Sequence, residues 1–215
     1  MKLTSIPKTD LLKIISNFNR RITLLFVFVV ALYFDSNHFA EIFTYNQYFI
    51  NFFMILAFLI LYKRSVKRTR ELMLYAVIIG FIGEYFFSVY LGMYTYRLEN
   101  VPLYVPFGHA AVYARVFAFS KTAVVRKHHQ KIEQIFYLII SLFAIFYWVS
   151  FNDFFGFVMT LGVFALLLKR PKDRMYFLTM YITVAVLEIG GTAYGAWYWP
   201  DTAFGTFDFL PSNNP

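Results

Sequence analysis

Cysteine is absent from the 215-residue sequence, and charged residues are scarce at 15%. The first absence removes disulfide stapling, and with it the thiolate ligands of iron–sulfur and most structural zinc sites. No HExxH segment and no histidine-rich box takes their place, so neither a metal nor a cofactor is expected. The scarcity of charge excludes more. A typical soluble domain carries ~25% charged and ~45–50% apolar residues, whereas here apolar residues reach 60% and aromatics 22%. A single water-soluble core of this size could not hide so much apolar surface, and a disordered chain has the opposite composition. An integral membrane protein remains.

The net charge of +8 raises the question of a nucleic-acid partner, and the placement of the charge answers it. Of 20 Lys and Arg residues, 18 fall within 2–21, 63–70, 121–131 and 169–174. Only Arg97 and Arg115 lie elsewhere. Apolar stretches sit between the clusters in pairs, and their intervening loops carry Asp35, Glu41, Glu99 and Asp153 with almost no basic residue. This is the positive-inside pattern, which sets topology and favours anionic lipid headgroups as the partners of the basic loops. No nucleic acid is expected.

The apolar stretches predict an all-α polytopic membrane protein with seven transmembrane helices, at 22–38, 45–62, 72–96, 104–124, 133–150, 153–168 and 175–199. The N-terminus is then cytoplasmic and the C-terminus outside, in what is expected to be a bacterial cytoplasmic (inner) membrane. The connection Ser150-Phe151-Asn152-Asp153 is tight enough to make spans five and six a hairpin. Residues 1–21 form a basic arm in which Leu11, Ile14, Ile15 and Phe18 keep helical spacing and Thr9-Asp10 offer a cap. The arm reads either as an amphipathic helix on the inner leaflet or as an unstructured basic arm that orients the first span. Residues 22–199 are the transmembrane domain, and 200–215 an extracytoplasmic tail.

Spans three and seven share Glu-x3-[Ser/Thr]-x-Tyr-x3-Tyr at an offset of 104 residues, pairing Glu84 with Glu188, Ser88 with Thr192, Tyr90 with Tyr194 and Tyr94 with Tyr198. A partial internal repeat is expected. Both carboxylates would then lie at similar depth in the outer half of the bilayer. A carboxylate near the bilayer centre costs at least ~2.5–3.5 kcal/mol, so it usually faces the bundle interior with a partner or a task. Ser88 and Thr192 stand one turn beyond, where a hydroxyl could reach a carboxylate or a substrate. Arg115, in the middle of span four, is the expected cationic partner of one glutamate, which reads either as a packing device or as part of a site. The glutamate left without it is a candidate general acid. His109, at the outer end of the same span, is a candidate for acid–base work or ligand contact. Tyr90, Tyr94, Tyr96, Tyr194, Trp197, Tyr198 and Trp199 gather near the outer ends of spans three and seven. They read either as an interfacial belt or as the aromatic lining of a pocket beneath a lid made by 97–107 and 200–215. Gly190, Gly191 and Gly195 permit close approach on span seven.

Two functional classes follow. One is an intramembrane enzyme acting by acid–base chemistry on a lipid or isoprenoid, with Glu84, Glu188, His109 and Arg115 as catalytic residues and Ser88, Tyr90, Tyr94, Thr192, Tyr194, Trp197 and Tyr198 around the substrate. The other is a non-catalytic membrane protein, either a proton-linked carrier of a small solute or a subunit that leans on another membrane protein or on copies of itself. A retinal-type photoreceptor is excluded because span seven holds no lysine for a Schiff base. The repeated acidic helices resemble those of the small bacterial membrane lycopene cyclases, which implies a carotenoid-like isoprenoid substrate. The hallmark Pro-x-Glu-Glu of those enzymes has no counterpart here, where the loop reads Pro102-Leu103-Tyr104-Val105-Pro106.

Overall fold

In hydrocarbon every backbone N–H and C=O has to be satisfied within its own segment, so long apolar runs become helices. The computed structural model describes residues 6–22 and 24–213. Residues 1–5 of the basic arm, position 23 of the first predicted span and 214–215 of the tail lie outside the described residues. The order is α1 (Lys8–Ile22), α2 (Leu24–Phe34), α3 (Asn37–Ile42), α4 (Asn46–Arg64) and α5 (Lys67–Glu84). A π-helical turn, Tyr85–Tyr90, continues α5 and leads to strand β1 (Thr95–Tyr96). Then come α6 (Tyr104–Ser120), α7 (Ala123–Lys127), α8 (His129–Phe151), α9 (Phe154–Leu168) and α10 (Arg174–Ala193). Strands β2 (Trp197–Tyr198), β3 (Thr202–Ala203) and β4 (Phe207–Pro211) end the chain.

Among the described residues, five helical runs are long and apolar enough to cross a membrane: Lys8–Phe34, Asn46–Arg64, Lys67–Tyr90, His129–Phe151 and Arg174–Ala193. Of the two other predicted spans, α9 is a shorter apolar helix and α6 has 17 residues. The third and seventh helices stop earlier than their apolar sequence suggests, at Tyr90 and Ala193, and the aromatic segments after them are extended. The helical architecture expected from the sequence is present, with two small strand pairs added: β1 pairs antiparallel with β2, and β3 with β4.

Helix α6 is the hub, packed against α1, α4, α5 and α10. Small residues make this possible, since Ala110, Ala111 and Ala114 are all buried and let neighbouring backbones come close. The basic arm forms a helix, but α1 runs along α6 and α7. Ile14 and Ile22 are buried, Phe18 meets Phe119 edge-on at 5.5 Å, and Leu11 and Ile15 face outward. Asp10 does not cap this helix as expected. Its carboxylate instead accepts from Lys127 Nζ at 2.8 Å and His128 Nε2 at 2.7 Å, pinning the arm to α7 and the residue after it. The α8–α9 hairpin has a simple local cause. Asn152 takes the left-handed conformation (φ 58°), and Asp153 caps α9 by accepting from the Gly156 N–H at 3.0 Å.

At the opposite end of α6 from Asp10, a buried polar clasp ties α2, α4 and the loop before α6 together. Arg97 Nη2 lies 2.7 Å from Asp35 Oδ1 and also donates to Asn46 Oδ1 at 3.0 Å. The Tyr104 phenol donates to Asp35 Oδ2 at 2.8 Å, and Asn46 Nδ2 to the Phe34 carbonyl at 2.8 Å. Asp35, read from the sequence as a loop acid, is fully buried.

Candidate functional site

A cavity of about 680 Å³ lies between α5 and α10, with α6 as its back wall. That falls within the ~300–1,000 Å³ of small-molecule sites. Glu84, Glu188 and His109 all line it, together with Tyr94, Tyr96, Trp197 and Trp199. Everything else on its surface is apolar apart from tyrosine hydroxyls. Tyr75 and Ile79 of α5 line the cavity and are also among the exposed large side chains, so it opens sideways.

Glu84 is the last residue of α5 and is buried. Its Oε2 accepts from the Tyr94 phenol at 2.6 Å and the Tyr96 phenol at 2.5 Å, while Oε1 lies 2.6 Å from His109 Nε2. Tyr94 and Tyr96 are two apart along an extended segment, so both side chains leave on the same face and reach one carboxylate. They lie beyond the end of the membrane-crossing run Lys67–Tyr90. Burial, reinforced by the adjacent Glu84 charge, pushes both phenols well above the usual tyrosine value, so they remain donors. The His109 side chain is 51% exposed and lines the cavity, and Nδ1 has no partner among the described residues. A buried carboxylate that fixes one ring nitrogen while the other stays available is the arrangement of an oriented acid–base histidine.

Glu188 is held by a similar device built from indoles. Trp197 Nε1 donates to its Oε2 at 2.8 Å and Trp199 Nε1 to the same oxygen at 3.2 Å. Oε1 has no partner among the described residues, and no cation there lies within salt-bridge distance of the carboxyl. Trp197 reaches this position because residue 191 is glycine: a β-carbon there would overlap the indole ring. The two strands bring the halves together. Thr95 faces Tyr198 and Tyr96 faces Trp197 across β1–β2, with ring centroids 5.0 Å apart for Tyr94–Trp199 and 6.1 Å for Tyr96–Trp197. The result is an aromatic ribbon covering the end of the cavity where both carboxylates lie.

Several expected residues are elsewhere. Arg115 pairs with neither glutamate. Its guanidinium donates to the backbone carbonyls of Arg21 (2.8 Å) and Arg20 in α1. The Ser88 hydroxyl bonds the Tyr94 carbonyl and the Thr192 hydroxyl the Glu188 backbone carbonyl, so neither reaches a carboxylate. Tyr90 is 78% exposed. Tyr194 packs edge-on against Tyr33, and the Tyr198 hydroxyl accepts from Asn37 Nδ2 at 2.7 Å; none of the three lines the cavity. The tail forms no lid: β4 packs on α9, with Phe204 against Phe155, and none of residues 200–213 lines the cavity. In place of these, Tyr96 and Trp199 carry contacts to the carboxylates. Their signal was the alternation of Tyr94 with Tyr96 and of Trp197 with Trp199, which marks two strand faces.

Comparison with protein-family models, with curated proteins and with solved structures finds no match to this chain.

Proposed function

We propose that this chain is an intramembrane enzyme performing acid–base chemistry on an apolar lipid or isoprenoid substrate drawn sideways from the bilayer. The carrying observation is the Glu84–His109 contact at 2.6 Å, with its histidine open to an otherwise apolar cavity that Glu188 also lines. In this reading Glu188 donates a proton from its unpartnered Oε1 to a carbon–carbon double bond. The aromatic ribbon stabilises the cationic charge that develops. His109, oriented by Glu84, removes a proton from a neighbouring carbon, and that proton returns to Glu188 before the next turnover. Substrate and product are then isomers, and no oxidant or reductant is required. Arg115 has no part in it.

The reading includes seven spans with the N-terminus inside and the C-terminus outside, in a bacterial inner membrane, as the four basic clusters suggest. It also includes a duplication relating the α5–β1 and α10–β2 units, supported by the paired use of a helix-end glutamate and two strand aromatics.

The test compares extracted lipids from cells carrying the protein, its Glu84→Gln, Glu188→Gln and His109→Ala variants, or none. A lipid species that shifts with the protein and reverts in all three variants supports the enzyme. Unchanged lipid with a co-purifying membrane complex would instead establish the subunit reading.

A further inference from the structure

A second, smaller cavity of about 280 Å³ lies at the other end of α6, and it shares two residues with the first. Tyr113 and Tyr176 line both, their ring centroids 5.6 Å apart and nearly edge-on. The two cavities are thus separated by one pair of rings. The chemistry changes across that pair. Above it the walls are apolar up to the glutamates. Below it stand Lys121, Arg170 and Lys172, from the segments after α6 and before α10, with Asp173 the single acid in the wall. Lys121 Nζ sits 5.2 Å from the Phe117 ring centroid, and none of the three cations has a carboxylate within salt-bridge distance among the described residues. Three cations against one carboxylate lie under the floor of an apolar groove.

The length of the groove follows from its wall. Tyr176 and Glu188, both lining residues, are twelve positions apart on α10, which at 1.5 Å per residue is about 18 Å. We propose that the basic cavity takes the phosphate-type headgroup of an anionic single-chain amphiphile whose tail passes the Tyr113–Tyr176 pair and rises to the aromatic ribbon. The proposal rests on the reading of the upper cavity as a substrate site, and it adds the substrate's class and orientation. A phosphate monoester suits three cations by charge. An apolar chain suits the groove above, and the headgroup-to-glutamate span selects which part of the chain meets Glu188 and His109. One of the two rings has to swing for a chain to pass, so the pair acts as a gate between anchor and reaction end.

The three tryptophans make this testable, because Trp197 and Trp199 line the upper end of the groove while Trp148 packs on Phe157 of α9. The protein, with Trp148→Phe to remove background, is placed in phosphatidylcholine nanodiscs and titrated with hexadecyl phosphate brominated at its terminal carbon. Saturable quenching is expected, and it should weaken when the bromine is moved to the second carbon. Unlabelled hexadecyl phosphate should compete at least tenfold better than hexadecanol. Lys121→Gln and Lys172→Gln should each weaken the phosphate roughly fivefold, the effect of one cation at a membrane surface, leaving hexadecanol unchanged, and Lys172→Arg should restore it. Equal competition by phosphate and alcohol, with unchanged binding in the Gln variants, would overturn the anchor while leaving the upper site intact. Full competition by inorganic phosphate would show a free-anion site and overturn the amphiphile. Absence of saturable quenching with the bromine at either position of the chain would overturn this proposal and the cavity reading together.

Discussion

Replacing Arg97 by Met is the sharpest perturbation of the bundle. The Arg97 and Asp35 side chains are 8% and 0% exposed, and their closest atoms are 2.7 Å apart. Removing the cation leaves a carboxylate that water cannot reach, still bonded by the Tyr104 phenol at 2.8 Å but with no positive charge beside it. Breaking a buried pair from one side costs ~3–5 kcal/mol. For a chain of this size each kcal/mol moves the melting temperature by ~2–4 °C, giving a predicted loss of ~6–20 °C. Changing Asp35 to Asn in the same molecule removes the stranded charge and should recover most of the loss. The assay is thermal unfolding in detergent, followed by circular dichroism, for both single variants and the double. Arg115→Met is the contrast: its partners are two carbonyls, so its cost should be smaller and should add to that of Glu84→Gln without interaction. A loss below ~1 kcal/mol for Arg97→Met, or a double variant as damaged as the two singles summed, would refute the buried-pair argument.

Two further outcomes follow from geometry. Gly191→Ala should drive the Trp197 indole off Glu188 at ~1–3 kcal/mol of overpacking, read as a red shift of tryptophan emission; an unshifted spectrum at unchanged stability would count against the contact. Since the chain has no cysteine of its own, single cysteines at Asn100 and Asn152 should label from outside with an impermeant thiol reagent. Those at Ser65 and Lys172 should not, and outside labelling at 65 would invert the proposed topology.

The helices were legible because composition alone decides them: an apolar run in hydrocarbon has one way to satisfy its backbone. Long-range arrangement was not. Nothing in the sequence of α6 marks it as the hub except its alanines, and alanine is equally at home in any helix. Arg115 looked like a carboxylate's partner because it was an isolated cation in an apolar span, yet the end of α1 offered carbonyl acceptors that only tertiary placement brings near. Asp35 and Arg97 looked like loop charges for the same reason. They are 62 residues apart, and no local pattern announces that they are buried against each other. Strands β1 and β2 are two residues each; the alternation of Tyr94 with Tyr96 and of Trp197 with Trp199 marks their faces, but not the pairing between segments about 100 residues apart that stabilises them.

The offset of 104 residues aligns Glu84 with Glu188 and Tyr94 with Tyr198, but the rings that bond the two carboxylates follow a different spacing. Glu84 is bonded by rings 10 and 12 residues later, whereas Glu188 is bonded by rings 9 and 11 residues later. If the two units are duplicates, as proposed, the extra residue of the first falls where α5 passes into the π-helical turn Tyr85–Tyr90, whose Leu91 N–H bonds the Phe86 carbonyl five residues back. A π-turn is the way a helix absorbs one inserted residue, and such turns are frequent at functional sites. Under the proposed duplication the matching offset beyond it would be 103, pairing Tyr94 with Trp197, Thr95 with Tyr198 and Tyr96 with Trp199. Under that register the β1–β2 pairing is self-consistent. Thr95 faces its own counterpart Tyr198, and the contacts Tyr94–Trp199 and Tyr96–Trp197 exchange with each other, as a local two-fold axis through the Thr95–Tyr198 pair requires. The two units nevertheless differ in what they give their carboxylate. One supplies phenols and a histidine, the other indoles, which leaves one carboxyl oxygen of Glu188 without a partner among the described residues while both of Glu84 are engaged. A near-symmetric frame holding two unlike carboxyl groups is what a site needs if one is to give up a proton and the other is to orient the base that removes one.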